Sequence, residues 1–402
     1  MRITALETIR IAERPNLLWL QVETDEGLVG LGETFWLAAT AEAAVHEHVA
    51  PRVIGRDPLA IDALSESLVG YLGFGAAGAE TRAASALDIA LWDLFGQATG
   101  QPVAQLLGGF TRSDIRTYNT CAGSDYVKKT AGQVTSNYDL DPGRRAPLDD
   151  LNAFMSRADD LAQELLEEGI TAMKIWPFDA AAERGRGWEI DAAALREALE
   201  PFEKIRSAVG DRMDVMVEFH SLWKLLPALR IAEALRPYAT FWHEDPIRMD
   251  ALGDLRRYAQ ASPAPVCASE TLAGRVAFRQ LLETGAAGIV MLDLSWCGGI
   301  SEARKIAAMA EAWRLPVAPH DCTGPVVLAA STHLSLNAPN ALIQESVRAF
   351  HRGWYRDCVT ALPPIANGRI TVPAGPGLGL ALNPELDRAF TTSRRRTAAD
   401  DL

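Results

Sequence analysis

Between Asp214 and Ser346 the chain repeats one kind of phrase six times: DVMVE (214–218), TFWHE (240–244), VCASE (266–270), GIVMLD (288–293), PVAPH (316–320) and LIQES (342–346). Each is a short apolar run closing on a polar residue: Glu218, Glu244, Glu270, Asp293, His320 and Glu345. The intervals between those residues are 26, 26, 23, 27 and 25. A strand followed by an amphipathic helix uses about that much chain, because parallel strands need a crossover to return. Two further runs lie upstream, TYNTC (117–121) and TAMKIW (171–176). Eight units at near-constant pitch predict an α/β fold, a (β/α)8-type barrel of roughly 250 residues. A doubly wound open sheet is the alternative, but no Gly-x-Gly-x-x-Gly follows an early strand.

Outside the repeat the pattern changes. Met1 to Glu13 and Asn16 to Glu23 alternate like two antiparallel strands, followed by a Gly-rich turn (Gly27, Gly30, Gly32). Thr81 to Phe95 has helical spacing and is expected to stop at Gly96. Residues 1–115 therefore read as an α+β unit and 116–367 as the barrel. The run ITVPAGPGLGLAL (370–382) looks like a return to the first unit, so 368–402 would complete it. The polar tail TTSRRRTAADDL is expected to be poorly ordered. Ser124 to Asp149 is too long for an ordinary βα loop, and it lies on the face where barrels hold their sites. It is expected to cover a substrate.

Composition narrows the function. The chain has 402 residues, 48% hydrophobic and 23% charged, with a net charge of −13, which disfavours nucleic acid and anionic membranes as partners. No run approaches the roughly 20 apolar residues of a membrane helix. The start MRITALETIRIAERP reads as a mature cytoplasmic one. The cysteines (Cys121, Cys267, Cys297, Cys322, Cys358) are scattered, which suits small buried residues in a reducing compartment better than disulfides or a zinc cluster.

Carboxyl ends of barrel strands converge, so Glu218, Glu244 and Glu270 are expected to meet. Three carboxylates in one place repel unless a cation joins them, and oxygen-only ligation suits Mg²⁺. On the next two strands Asp293 would hold one nitrogen of His320 and leave the other as a base. Taken alone, His320 reads equally as a structural histidine.

The ordered set MKIW, VEFH, HEDP, ASE, LD, PHD and QES resembles the mandelate racemase group of the enolase superfamily, as does SALDIALWDLFGQATGQPVAQLLGG (85–109). The resemblance implies a capping domain made from both chain ends over the barrel, and enolisation of a carboxylic acid. It implies Glu218, Glu244 and Glu270 as Mg²⁺ ligands, with Glu218 where an aspartate is more usual, and Glu345 as a partner of the substrate carboxylate. Racemases of the group carry Lys-x-Lys on the second strand. Here Lys174-Ile175-Trp176 has tryptophan in the second place, so one face of the carbon lacks that base and simple racemisation is not expected. Lys174 then contacts the carboxylate; read one register over, it would itself be the base. VEFH (217–220) is similar to the strand end of the group's galactonate dehydratases, which implies that His220 protonates a leaving hydroxyl. If the strand continues, period-2 geometry puts His220 beside Glu218.

These readings predict a Mg²⁺-dependent acid-sugar dehydratase acting on a small carboxylate, with the chain expected as a homo-oligomer. An epimerase or cycloisomerase on a related acid, and a non-catalytic barrel protein, are the alternatives. Trp176, Trp223 and Trp296 are candidates for lining the pocket or for packing the barrel. Tyr118 and Asn119 are candidates for facing the mouth. Arg82 is read as a helix-surface charge, with substrate contact as its alternative. Specificity is expected from Gly27–Trp36, Gly70–Gly78 and Ser124–Asp149.

Overall fold

The computed structural model describes residues 1–68, 78–126, 128, 135, 138, 140–141 and 145–402. Strands β1 (Ile3–Ile11), β2 (Leu17–Thr24) and β3 (Val29–Phe35) form an antiparallel meander. Gly27 turns the β2–β3 hairpin with φ 79°, but Gly30 and Gly32 lie within β3 rather than in a turn. A Cβ on Gly30 would sit 2.2 Å from the Ala90 carbonyl oxygen, and one on Gly32 1.8 Å from that of Ala86. These glycines let the helix Ala79–Thr99 lie directly on the sheet. That helix runs through Gly96 to Thr99, and Gly100, at φ 66°, ends it.

The barrel strands follow in sequence: β4 (Ile115–Thr120), β5 (Ala172–Ile175), β6 (Asp214–Glu218), β7 (Trp242–Glu244), β8 (Val266–Ala268), β9 (Ile289–Leu292), β10 (Val317–Pro319) and β11 (Gln344–Ser346). Neighbours from β4 to β10 pair in parallel, and β11 pairs β4. Backbone bonds from Val317 N to Asn340 O (3.0 Å) and from Leu342 N to Val317 O (2.8 Å) close the ring. All eight expected strands are present. The eighth unit carries two short helices, Arg348–His351 and Tyr355–Cys358, in place of a long crossover.

The chain then makes the hairpin β12 (Ile365–Ala366) and β13 (Arg369–Ile370), the latter pairing the start of β4. It passes the long helix, where Leu378 N donates to Asp93 Oδ1 at 2.8 Å. It ends as β14 (Thr392–Ala398), antiparallel to β1. The tail is therefore a strand. Its arginines are held by acids of the first unit: Arg394 by Glu7, Arg395 by Glu47 and Arg396 by Glu23. This pairing between the two ends of the chain is what a reading of the tail as poorly ordered omits.

The first unit is joined to the barrel at two helix starts. The helices Gly299–Ala312 and Pro325–Asn337 have Gly298 and Gly324 at their N-caps, residues with no side chain to satisfy the free N–H groups of a first turn. Asp88 of the long helix accepts from Ser301 N at 2.9 Å, and Glu33 of β3 accepts from Val327 N at 2.8 Å. The five cysteines are free and buried. Among the described residues no helix is long and apolar enough to cross a membrane.

Candidate active site

One layer of side chains packs the barrel interior: Tyr118, Ala172, Met216, Trp242, Cys267, Met291, Ala318 and Ile343, with Ile289 below Met291. Strand side chains alternate, so the residue two further along each strand points to the same side, one step nearer the carboxyl end. Those residues are Thr120, Lys174, Glu218, Glu244, Ser269, Asp293, His320 and Glu345. The site is thus the next layer of the barrel, made polar. Glu270 lies just beyond this register, next to Ser269, whose hydroxyl donates to Asp245 at 2.7 Å.

Glu218, Glu244 and Glu270 each offer a carboxylate oxygen, all within 4.8 Å of one another. Lys174 is buried among them, with Nζ 2.6 Å from Glu244, 2.9 Å from Glu345 and 3.8 Å from Glu218. Burial opposes its charge, but Glu244 and Glu345 outweigh that and hold it protonated. Burial pushes the Glu218 and Glu244 carboxyls up, and their mutual repulsion pushes Glu244 further. Glu218 Oε2 is buried and has no hydrogen-bond partner among the described residues. A hard cation fits this set: the donors are all oxygens, one has no hydrogen bond, and the site holds more carboxylates than its lysine and two histidines can neutralise.

Glu345 accepts from the Thr120 hydroxyl and, at 3.1 Å, from Asp321 N. His320 has Nδ1 2.7 Å from Asp293 and Nε2 2.8 Å from Glu270. Asp293 also accepts from the backbone and the hydroxyl of Ser295. Burial works to lower the imidazole, but Glu270 and Glu345 raise it well above its ordinary range.

His220 does not continue β6. The strand ends at Glu218, and His220 adopts a left-handed backbone (φ 49°) that lets its own N–H donate to Glu218 Oε1 at 2.5 Å. The two side chains share the site through this turn rather than through strand alternation. His220 Nδ1 lies 2.7 Å from Asp179 Oδ2, which also accepts from the Tyr138 hydroxyl at 2.6 Å. Asp179 begins the helix Asp179–Gly185, and Tyr138 belongs to the long insertion.

A small cavity of about 30 Å³ is lined by Thr120, Lys174, Glu218, Glu270, His220 and His320, with Trp176, Trp296, Tyr126 and Cys322 as walls. Next to it, sharing Glu270, Phe35 and Trp296, lies an outer cavity of about 230 Å³ that adds Trp36, Arg82, Thr271 and Ala273. Trp296 stacks on His320 with ring centroids 5.4 Å apart. Trp176 lines the site, whereas Trp223 is fully buried packing. Arg82 is not a surface charge; it is half-buried, donates to the Phe35 carbonyl at 3.3 Å and lines the outer cavity. Asn119 points out of the barrel to Asp150, and Tyr118 lies beneath the site, edge-on to Trp242. Phe35 and Trp36 bring the Gly27–Trp36 segment to the cavity. Of the Gly70–Gly78 segment, positions 70–77 fall outside the described residues. Sequence reading missed Thr120, Asp179, Tyr126 and Tyr138. Only Thr120 had a signal, its alternation with Tyr118.

Comparison with known proteins agrees with this architecture. Residues 4–108 match the mandelate racemase / muconate lactonizing enzyme N-terminal domain, and 157–386 match the enolase C-terminal domain-like family. The D-galactonate dehydratase of Ralstonia nicotianae is 33% identical, the match covering 100% of this chain and 96% of that protein. That of Xanthomonas axonopodis pv. citri is 34% identical over 96% and 93%. An enolase of the mandelate racemase subgroup from Agrobacterium tumefaciens is 64% identical, with a TM-score of 0.88 and full coverage of both chains. An enolase protein from Sargasso Sea environmental sequence is 45% identical, with a TM-score of 0.87 and 99% of each chain covered. The chain belongs to the mandelate racemase group of the enolase superfamily.

Proposed function

We propose that this member of the group is a Mg²⁺-dependent acid-sugar dehydratase, converting an aldonate or aldarate into a 2-keto-3-deoxy acid. As an enzyme it falls in the hydro-lyase class, the class of its D-galactonate dehydratase relatives. The observation that carries the reading is that His320 and His220, each on its own aspartate, line one cavity with Glu218 and Glu270 of the three-glutamate cluster.

Glu218, Glu244 and Glu270 would hold the ion. When bound, Mg²⁺ would supply positive charge opposite the substrate carboxylate, and would take up the charge of Glu270 that otherwise keeps His320 protonated. Lys174 and, when protonated, Glu345 hold the carboxylate of the acid, Glu345 being kept in place by Thr120 and the Asp321 N–H. His320 Nε2 takes the C2 proton, with Asp293 fixing the ring from Nδ1. The C2–H electrons move into the C1–C2 bond. They then form the C2–C3 double bond as the C3–O bond breaks. His220 gives its proton to that oxygen, which leaves as water because hydroxide alone is a poor leaving group. The resulting enol takes a proton at C3 and releases its hydroxyl proton, leaving the ketone. Trp176 walls the side where a racemase would carry a second lysine, which disfavours simple racemisation.

Incubating the enzyme with a panel of aldonates and aldarates, with Mg²⁺ or with a chelator, tests the reading. A 2-keto-3-deoxy product that needs the metal is expected. Metal-dependent exchange of the C2 proton without product from any acid would favour epimerisation instead. Light scattering would test the expected homo-oligomer.

A further inference from the structure

We infer that Asp179 and Tyr138 position His220, so that the long insertion after β4 helps to assemble the elimination half of the site. The inference rests on reading His220 as the group that protonates the leaving hydroxyl. Its basis is geometric. Asp179 is 1% exposed and sits at the start of a helix that follows β5, away from the β6 turn that carries His220. Its Oδ2 meets His220 Nδ1 at 2.7 Å and the Tyr138 hydroxyl at 2.6 Å. An ionised carboxylate accepts only, so Asp179 takes the Nδ1–H, and the proton that the charged ring gives up is the one on Nε2, left for the cavity. The Trp176 ring meets the His220 ring at 5.8 Å, nearly perpendicular, and limits its rotation.

Tyr138 reaches Asp179 from the insertion, and a second contact fixes that approach. Thr135 donates its backbone N–H to Glu183 at 2.6 Å on the same short helix, and Tyr126 packs between Tyr138 and Trp176. Asp179 Oδ1 has no hydrogen-bond partner among the described residues, so the two bonds on Oδ2 are what orient the carboxylate. His320 is supported differently, its aspartate being held by the neighbouring Ser295.

The test uses the Mg²⁺-loaded enzyme in deuterium oxide with an acid sugar it dehydrates. It follows two rates: exchange of the C2 proton and formation of keto-deoxy product. His220→Asn should exchange and form little product. Asp179→Asn should keep exchange near the parent rate while product falls roughly 10–10²-fold, part of the 10²–10⁴-fold that general acid help is worth. Tyr138→Phe, which removes one hydrogen bond, should lower product about 3–10-fold with exchange unchanged. A merely structural defect would lower both rates together, so the ratio of product to exchange is the deciding readout. If His220→Asn makes full product, the acid reading itself fails. If His220→Asn behaves as expected but Asp179→Asn makes product at the parent rate, the positioning role alone is overturned. Equal loss of both rates in Asp179→Asn would also overturn it. Should that variant not fold, an unchanged ratio in Tyr138→Phe would overturn it.

Discussion

His320 and His220 follow strands half a turn apart around the barrel, each with Nδ1 2.7 Å from an aspartate, yet they are supported in different ways. The aspartate of His320 ends the adjacent strand, its second oxygen is fixed by Ser295, and Trp296 stacks on the ring. Trp296 is in turn bonded to the Phe35 carbonyl of the first domain at 2.8 Å. The aspartate of His220 comes from a helix start and depends on a tyrosine in an insertion. On the proposed function, proton abstraction is thus built from the barrel and its cap, and the second half of the site from connecting segments. On that reading the first step is left intact when the second is altered, because segments between elements change more readily than strands.

The comparison can be broken most severely at the three-glutamate cluster, the proposed metal site that both halves share. Glu244→Gln should abolish C2 exchange and product together while leaving the circular dichroism spectrum intact; activity persisting in a chelated sample would contradict the assigned ligands. Next comes His320→Asn, expected to lose exchange roughly 10²–10⁴-fold. If exchange survives there, the base lies elsewhere and Lys174 is the first residue to replace. Asp293→Asn should give an intermediate loss, since the ring remains but its tautomer is no longer fixed. An effect on product without one on exchange would mean that Asp293 serves the wrong half.

The smallest expected effect concerns how the cap holds the base half. Burial pushes the carboxyls of Glu33, Asp88 and Asp93 up to about 8, 7 and 6. The folded protein then keeps protons that the unfolded chain has released. Their contribution to stability is full below the ordinary carboxylate range and is lost as pH rises through about 6 to 8. Asp88→Asn keeps an acceptor for Ser301 N–H but cannot titrate. Its melting temperature should decline less than that of the parent between pH 6 and 8, by roughly 1–3 °C. Parallel declines would show that Asp88 does not titrate in that window.

The legibility of the molecule follows the same divide. The pitch of Glu218, Glu244, Glu270, Asp293, His320 and Glu345 reveals the barrel and most of the site, because a strand end has one position per unit and alternation fixes which side all of them but Glu270 face. Asp179 and Tyr138 obey no pitch. Their roles depend on how a helix start and a long connection fold back, and local sequence does not encode that. Gly30, Gly32 and Gly96 mislead for a related reason. Glycine marks a turn or a close approach, and only tertiary packing on the long helix tells which. The tail misleads because the acids that hold its arginines, Glu7, Glu23 and Glu47, lie at the other end of the chain.

The two borrowed helix caps bear on how such a chain can be recombined. Asp88 and Glu33 complete first turns that begin on bare glycines, and a Cβ on Gly324 would lie 2.3 Å from the Glu33 carboxyl group. One domain supplies the missing side chain and the other supplies the gap it needs. A graft that exchanges this cap for a relative's, keeping the barrel, inherits half of each joint. Chimeras should therefore be cut so that Asp88 travels with Gly299 and Glu33 with Gly324, treating each pair as one heritable character though it is written more than two hundred residues apart.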